Sequence, residues 1–535
     1  EQSVGIERSS PGLNDDADSF SYNFTVPTGP NQKALGFPGR LNRVGNLTGK
    51  QFVLKDQGLV VAKGEVGFDK VIRKDTAMYL KSGNTEFAKR MEGKKLSDFF
   101  MGVEWWFGAL YSPASMNNKL EEWNNLNRNF MQDPTNITHV ILPFQINGDT
   151  VLSTVNAATT ESGEQKLGYP PGTQGVPKRI YCFQFSVAHL LNYIVQAAGY
   201  TVVKNDVFDS EWKRLLVFGK LLYLYSNNTF GLSINYNPEL LYHKELVPGW
   251  DVNEFVDVVK KMLCLSIEFN DIQKTASIFF KKELFSNPIV KLENETVDWD
   301  HSEAEEADGF SLSYEGQDDN LATENDYDVL GSVYSVNDLP PPSEDYEDVV
   351  YHSTYRGRDY ICVKEDDSYA WKRIGRLKEY KSGNGKNDYQ IDAKVPYNIV
   401  KDGYMEIPYV NFTFDGKSAL SDLGALFFML YDGSRTVNDI TYYLIHSDRY
   451  SLNETIDFGR SLTPEYLHGQ VYSEFLQWDT YRKREFTKYL KMDLIAVLSL
   501  VWSKRYRIEE VVCILNRIRF DVPYRGLVEL NGFTV

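Results

Sequence analysis

The chain is short of the residues from which metal and catalytic centres are built. Its 535 residues include only four cysteines, Cys182, Cys264, Cys362 and Cys513, each more than 80 positions from the next. That spacing excludes a CxxC metal knuckle and a dense disulfide framework; buried free thiols, with at most one long-range bridge, are expected instead. The seven histidines (His139, His189, His243, His301, His352, His446 and His468) include no i,i+4 pair and none beside a cysteine, so neither a metal nor a cofactor is expected. His189 lies on a helical stretch and reads as a packed or surface residue. No HExxH or GxSxG occurs, and Gly416-Lys417-Ser418 is void as a phosphate loop because Asn411 stands where its first glycine belongs. No catalytic residue is assigned, and the chain is expected not to be an enzyme. No run of 18 apolar residues occurs, which argues against stable membrane insertion. The chain opens at Glu1 without methionine or a leader pattern, so any processed segment would lie outside it.

What is present is apolar and aromatic. Hydrophobic residues make up 42% and aromatic residues 14%, with 34 Tyr and 31 Phe, which excludes global disorder and tilts the class toward sheet. The length is too great for one core. Seven N-x-[ST] sequons, Asn23, Asn46 and Asn136 among them, read as a product of the many asparagines. The net charge of −17 is concentrated: residues 292–348 hold 19 Asp and Glu without one Lys or Arg. The other 55 acidic residues nearly balance the 57 basic ones.

The pattern predicts an α+β, multidomain and β-rich chain. It has barrel-like β domains at both ends, helix–hairpin modules between them and a small β insertion. Residues 1–18 are polar and read as an arm. Residues 19–145 read as a barrel-like domain with strands near 51–54, 59–63 and 68–73 and a peripheral segment from 111, rich in Asn, Gly and Pro. Residues 146–310 hold the modules. In the first, a helix capped by Ser186 carries Val187, Leu190, Leu191, Ile194, Val195 and Ala198 on one face and stops at Gly199. In the second, Asp251 caps a helix, with Glu254 as capping-box partner and Val252, Phe255, Val256, Val259, Met262 and Leu263 as its apolar face. At Leu265 the period changes from 3.6 to two and a hairpin follows. Residues 311–400 read as the acidic stretch, with Asp338-Leu339-Pro340-Pro341-Pro342 as a boundary, then the small insertion and a polar loop over 378–388. Residues 401–535 read as a C-terminal α+β domain. It has a turn at Asp432-Gly433, a long helix over 468–491 and strands over 494–501, 505–509, 511–520 and 526–530.

Three clusters invite a functional reading and receive a plainer one. Trp105-Trp106 reads as a buried edge, with a sugar-stacking platform as the sharper alternative. Glu303, Glu305, Glu306 and Asp308, or Asp318, Asp319 and Asp326, lack the spacing of a calcium loop and read as solvated. Lys504, Arg505, Arg507, Arg517, Arg519 and Arg525 read as a protein contact or solvated face rather than a nucleic-acid surface.

Several stretches nevertheless resemble one family. SFSYNFTVPTGPNQKALGF with FVLKDQGLVVAKGEV, HLLNYIVQAAGYTV with FDSEWKRLLVFGKLLYLYS, VNEFVDVVKKMLCLSIEFNDIQKTASIFF, and the closing HGQVYSEFLQWDTYRKREFTKYLKMDLIAVLSL are similar in order to bacteriophage tail hub, or tail-tip baseplate, proteins of the Bacteroidetes-phage type. GSVYSVNDLPPPSEDYEDVVYHS with RDYICVKEDDSYAWKRIG resembles a small β module of phage tail proteins. The matches span about half the chain and are hydrophobic patterns, not invariant motifs; the register around Arg505–Glu510 departs from them. The resemblance implies a structural protein of the virion tail, a homo-oligomer and by analogy a trimer. It would join the tube to a spike, plug or fibres and line the channel for transient DNA passage. On that reading the acidic 292–348 lies near the lumen or on a peripheral insertion. The alternatives are a cell-surface glycan-binding protein and a tail-associated polysaccharide or peptidoglycan hydrolase.

Overall fold

The computed structural model describes, with short breaks inside several spans, residues 4–13, 19–27, 50–99, 104–106, 113–147, 151–167, 178–225, 240–301, 309–314, 351–391, 399–406, 420–421, 428–449 and 457–535. At its centre lies the helix Val252–Leu263, started by the Asp251 carboxylate, which accepts the N–H of Asn253 at 2.9 Å and of Glu254 at 3.3 Å. Val252, Phe255, Val256, Val259, Met262 and Leu263 are all buried, as the 3.6 period requires. Cys264 ends the helix in the left-handed region, at φ 48°. Strand Leu265–Asn270 then pairs antiparallel with Thr275–Phe280, Ile267 facing Ile278. The helix Val187–Ala197 ends at Gly199, at φ 89°. There the N–H of Gly199 reaches the Gln196 carbonyl at 2.9 Å, and the N–H of Tyr200 that of Val195 at 3.2 Å. Its start differs from expectation: the Ser186 side chain makes no cap bond and is buried. Strand Thr201–Asn205 follows and pairs in parallel with Thr275–Phe280. The two helical modules therefore share one three-stranded sheet and one core.

Two wide sheets flank this centre. A 12-stranded sheet runs through Thr296–His301, Glu485–Lys491, Leu527–Thr534, Val511–Val522, Val4–Ser9, Ser19–Ser21, Asp75–Ser82, Leu59–Val71 and Lys50–Asp56, with three further strands pairing off this path. Strands expected in separate end domains thus lie in one sheet. The joint is the segment expected to be an arm: Val4–Ser9 pairs antiparallel with Val511–Val522, Ile6 opposite Phe520. Ile6 and Glu7 are buried. The run escaped detection because Glu7 and Arg8 interrupt its alternation; in the fold Glu7 is paired with Arg519 and Arg8 lies over the Trp502 ring. The 9-stranded sheet runs through Ile399–Lys401, Tyr404–Glu406, Val151–Thr154, His139–Asn147, Lys178–Ser186, Leu215–Tyr225, Phe428–Val437 and Ile440–His446, with Leu420–Ser421 beside Leu215–Tyr225. The small insertion is present as a meander of Tyr351–Tyr355, Arg358–Glu365 and Ser368–Leu377.

Four local expectations are corrected. The peripheral segment contains a 20-residue helix, Pro113–Gln132. Its asparagines are weak helix formers, but Asn127 is buried and bonds both backbone groups of Ile141, at 2.7 and 2.8 Å. The polar stretch 378–388 is not a loop: Tyr380–Gly383 and Asn387–Ile391 flank Gly309–Tyr314 in a three-stranded sheet. The long helix begins earlier and ends earlier, alternating α and π turns: Pro464–Leu467, His468–Tyr472 (π), Ser473–Gln477 and Trp478–Arg482 (π). Residues Glu485–Lys491 form a strand, because Phe486, Lys488 and Leu490 alternate inward. Leu494–Leu498 is a short helix rather than a strand, capped by the Asp493 carboxylate on the N–H of Ala496 at 2.8 Å.

Candidate functional site

The 12-stranded sheet meets the central hairpin at a cleft of about 330 Å³, lined by Arg8, Glu268, Asp271 and Trp502 among others. The first strand delivers Arg8, whose guanidinium lies 5.5 Å over the Trp502 ring. The hairpin delivers Glu268, which accepts the N–H of Trp502 at 3.2 Å. Burial pulls Arg8 below the usual arginine value, against the charge of Glu268. Burial also pushes the Glu268 carboxyl up, against the Trp502 bond and the charge of Arg8. At the hairpin turn, Asp271 accepts the Tyr200 hydroxyl at 2.5 Å and lies 3.2 Å from the Lys274 ammonium, which stands 4.7 Å over the Tyr200 ring. Alongside, Glu7 bonds Arg519 at 2.5 Å and faces Arg517 at 3.6 Å. The chemistry is that of a latch: the bond from Trp502 to Glu268 and one from the Lys63 ammonium to the Ile272 carbonyl, at 3.2 Å, cross the seam, while the ion pairs lie within the sheet or within the hairpin.

A second lock sits in the 9-stranded sheet. Asp432-Gly433 is not a free turn but a bulge within Phe428–Val437, with Gly433 at φ 87°. A side chain on Gly433 would also press on Met131, 3.2 Å away. Asp432 meets His446 Nε2 at 2.6 Å through one oxygen, and Arg214 at 3.1 Å and Arg460 at 3.2 Å through the other. Burial would raise this carboxyl, but the His446 hydrogen bond and the charges of Arg460 and Arg214 hold it below the usual range. Burial keeps the His446 imidazole neutral, stacked 4.1 Å from Phe458. An ionised carboxylate held by an N–H and two guanidinium groups is a charge lock rather than a base. Among the described residues no group of three His, Cys, Asp or Glu could hold a metal ion.

No family model and no curated protein matches the chain. Among solved structures it is similar to the 43 kDa tail protein of prophage MuSo2 from Shewanella oneidensis. The identity is 8% and the TM-score 0.33, over 100% of this chain and 93% of that one. A superposition this loose transfers no residue role.

Of the residues singled out from sequence, His189 is packed as expected, with Nε2 3.1 Å from the Pro134 carbonyl and Phe208 edge-on at 4.8 Å. Cys182, Cys264 and Cys513 are buried thiols outside any disulfide, and burial pushes the Cys513 thiol up to about 12. The basic C-terminal residues do not form one patch: Arg505 bonds the Asn287 carbonyl at 2.7 Å, while Arg517 and Arg519 turn to Glu7. Trp105 and Trp106 lie in strand Glu104–Trp106, paired with Leu240–Tyr242, but their side chains fall outside the described residues. So do Gly416–Ser418, Glu303–Asp308 and Asp318–Asp326. Sequence reasoning missed Arg8, Glu268, Asp271 and Asp432. Their partners stand far away along the chain, and no local spacing announces them.

Proposed function

We propose that this chain is a structural protein of a bacteriophage tail, a hub that assembles as a homo-oligomer, by analogy a trimer. One observation carries the reading: two wide, largely antiparallel sheets pack on a single central module, sharing its apolar core through Val217, Phe428 and Phe533. Such a body is built to hold surfaces in place. Among the described residues the 12-stranded sheet ends on Lys50–Asp56 and Thr296–His301, where Val53 and Val297 are exposed. Sheet edges and apolar surface of this kind suit lateral joining into a closed ring. The family resemblance of the sequence supplies the setting. The hub joins the tail tube to a spike, plug or fibres, lies in the virion tail and lines the path of the ejected genome. An acidic segment near that path would repel a polyanion rather than bind it. No helix among the described residues is long and apolar enough to cross a membrane.

Mass spectrometry of purified virions, with class averages of the tail tip, tests this. The hub reading expects the chain at the tube's distal end in a fixed small copy number. Its absence from intact particles would sink the proposal. Light scattering is expected to show a ring-sized oligomer, either alone or once the neighbouring tail proteins are added.

A further inference from the structure

A second cavity, of about 260 Å³, opens where the Gly309–Tyr314 sheet meets the π-turned helix. Its wall is a column of rings, with His468 stacked 4.1 Å from Tyr380 and 5.5 Å from Phe310. Around it stand Ser382, Gln477, Tyr481 and Arg482. The Nε2 of His468 is buried without a hydrogen-bond partner. The side chains of Ser382, Gln477, Tyr481 and Arg482 likewise make no hydrogen bond or ion pair with another described residue. One buried nitrogen without a partner, with solvent-facing polar groups that are not committed to one another converging beside an aromatic wall, is the ordinary make-up of a ligand site. The two π turns begin and end on this cavity, with His468 opening one and Arg482 closing the other; such turns recur at functional sites.

We propose that this cavity binds one acidic monosaccharide unit, a sugar-ring carboxylate. Each part of the wall selects part of that ligand. Arg482 is the charged group lining the cavity among the described residues, and a guanidinium fork fits a carboxylate. The amide, phenol and hydroxyl of Gln477, Tyr481 and Ser382 both donate and accept, which suits sugar hydroxyls better than a second anionic group. Burial holds His468 below its ordinary value, so its ring presents one donor and one acceptor at neutral pH. The aromatic faces take the apolar face of a sugar ring, and the volume is that of one ring rather than a drug-sized molecule. The inference is independent of the tail reading and holds or fails whether or not the chain is a hub.

Saturation-transfer NMR on the 535-residue protein, titrated with glucuronate, glucose and acetate, tests it. Glucuronate is expected to bind at least tenfold more tightly than glucose or acetate. Arg482→Ala should weaken glucuronate at least tenfold and leave the small glucose response unchanged, and Tyr481→Ala should weaken both sugars. Both residues are exposed, and an unchanged melting temperature confirms that the variants fold. A glucuronate-terminated oligosaccharide run beside the free sugar acid separates a glycan end from a free metabolite as the source. Acetate binding as tightly as glucuronate, no transfer from glucuronate, or an unchanged affinity in both variants would each overturn the proposal.

Discussion

The two cavities differ in how far the polar groups that line them are engaged with the rest of the fold. In the cleft at the sheet–hairpin seam, Trp502 takes Arg8 over its ring and gives its N–H to Glu268, and Asp271 has Tyr200 and Lys274. In the cavity beside the π-turned helix, His468 and Arg482 have no hydrogen-bond or ion-pair partner among the described residues. A buried charge that is paired holds elements together, and removing one partner leaves the other stranded. A polar group without a partner adds little to folding and is available for something else. The larger cleft is therefore part of the scaffold, and the smaller cavity is the better place to look for a ligand.

Stability measurements can break this contrast. The shared core sets the scale: Val259 is fully buried, and Val259→Asp should cost more than about 4 kcal/mol and give no soluble folded protein. At the seam, Arg8→Met should cost about 2 kcal/mol by removing the cation over the Trp502 ring and the positive charge that favours the ionised Glu268 carboxyl. Since burial already holds the folded Glu268 carboxyl above its unfolded value, the ionised form is what the fold disfavours. That deficit should be largest at neutral pH and shrink as pH falls and Glu268 takes up a proton, in denaturant melts across pH. Adding Glu268→Leu should recover most of the loss, and a double variant as weak as the single would remove the pairing argument.

Asp432→Asn should cost about 2 kcal/mol at pH 7 by leaving Arg214 and Arg460 facing a neutral group. The folded Asp432 carboxyl lies below its unfolded value, so its contribution is complete above the unfolded pKa of about 4 and fades as pH falls through the folded one. Wild-type and variant melting curves should therefore converge in acid. Tyr200→Phe, which removes one hydroxyl bond to Asp271, should cost about 1 kcal/mol. Arg482→Ala should change stability by less than about 0.5 kcal/mol, and a loss as large as that of Arg8→Met would show that the smaller cavity is scaffold too.

The sequence was legible where one segment settles its own structure. The helix Val252–Leu263, its Asp251 cap, the change of period at Leu265 and the stop at Gly199 each follow from neighbours within a few positions. It was illegible where partners are remote. Val4–Ser9 is a strand because Val511–Val522 lies beside it, and Asp432 is a lock because Arg214 and His446 converge on it. The π turns show a third kind of failure. A period of 3.6 cannot follow a helix that widens twice, so the stretch through residue 491 was read as one helix although Glu485–Lys491 alternates as a strand. The candidate cavity draws on these hidden features, since its lining comes from a polar stretch read as loop and from the re-phased helix.

The pairing of Val4–Ser9 with Val511–Val522 also fixes an order of events during synthesis. Glu7 and Arg519, bonded in the finished fold, are 512 positions apart. At ordinary translation rates, about 5–20 residues per second, the first strand waits on the order of tens of seconds for its partner. During that interval Ile6 has no mate on that side, and the sheet that includes it stays open along its middle rather than at its rim. The module around Val252–Phe280 has all its own pairings in hand long before then. The large sheet is thus closed last: Val511–Val522 docks on Val4–Ser9, and Leu527–Thr534, made after it, fills the place between that strand and Glu485–Lys491.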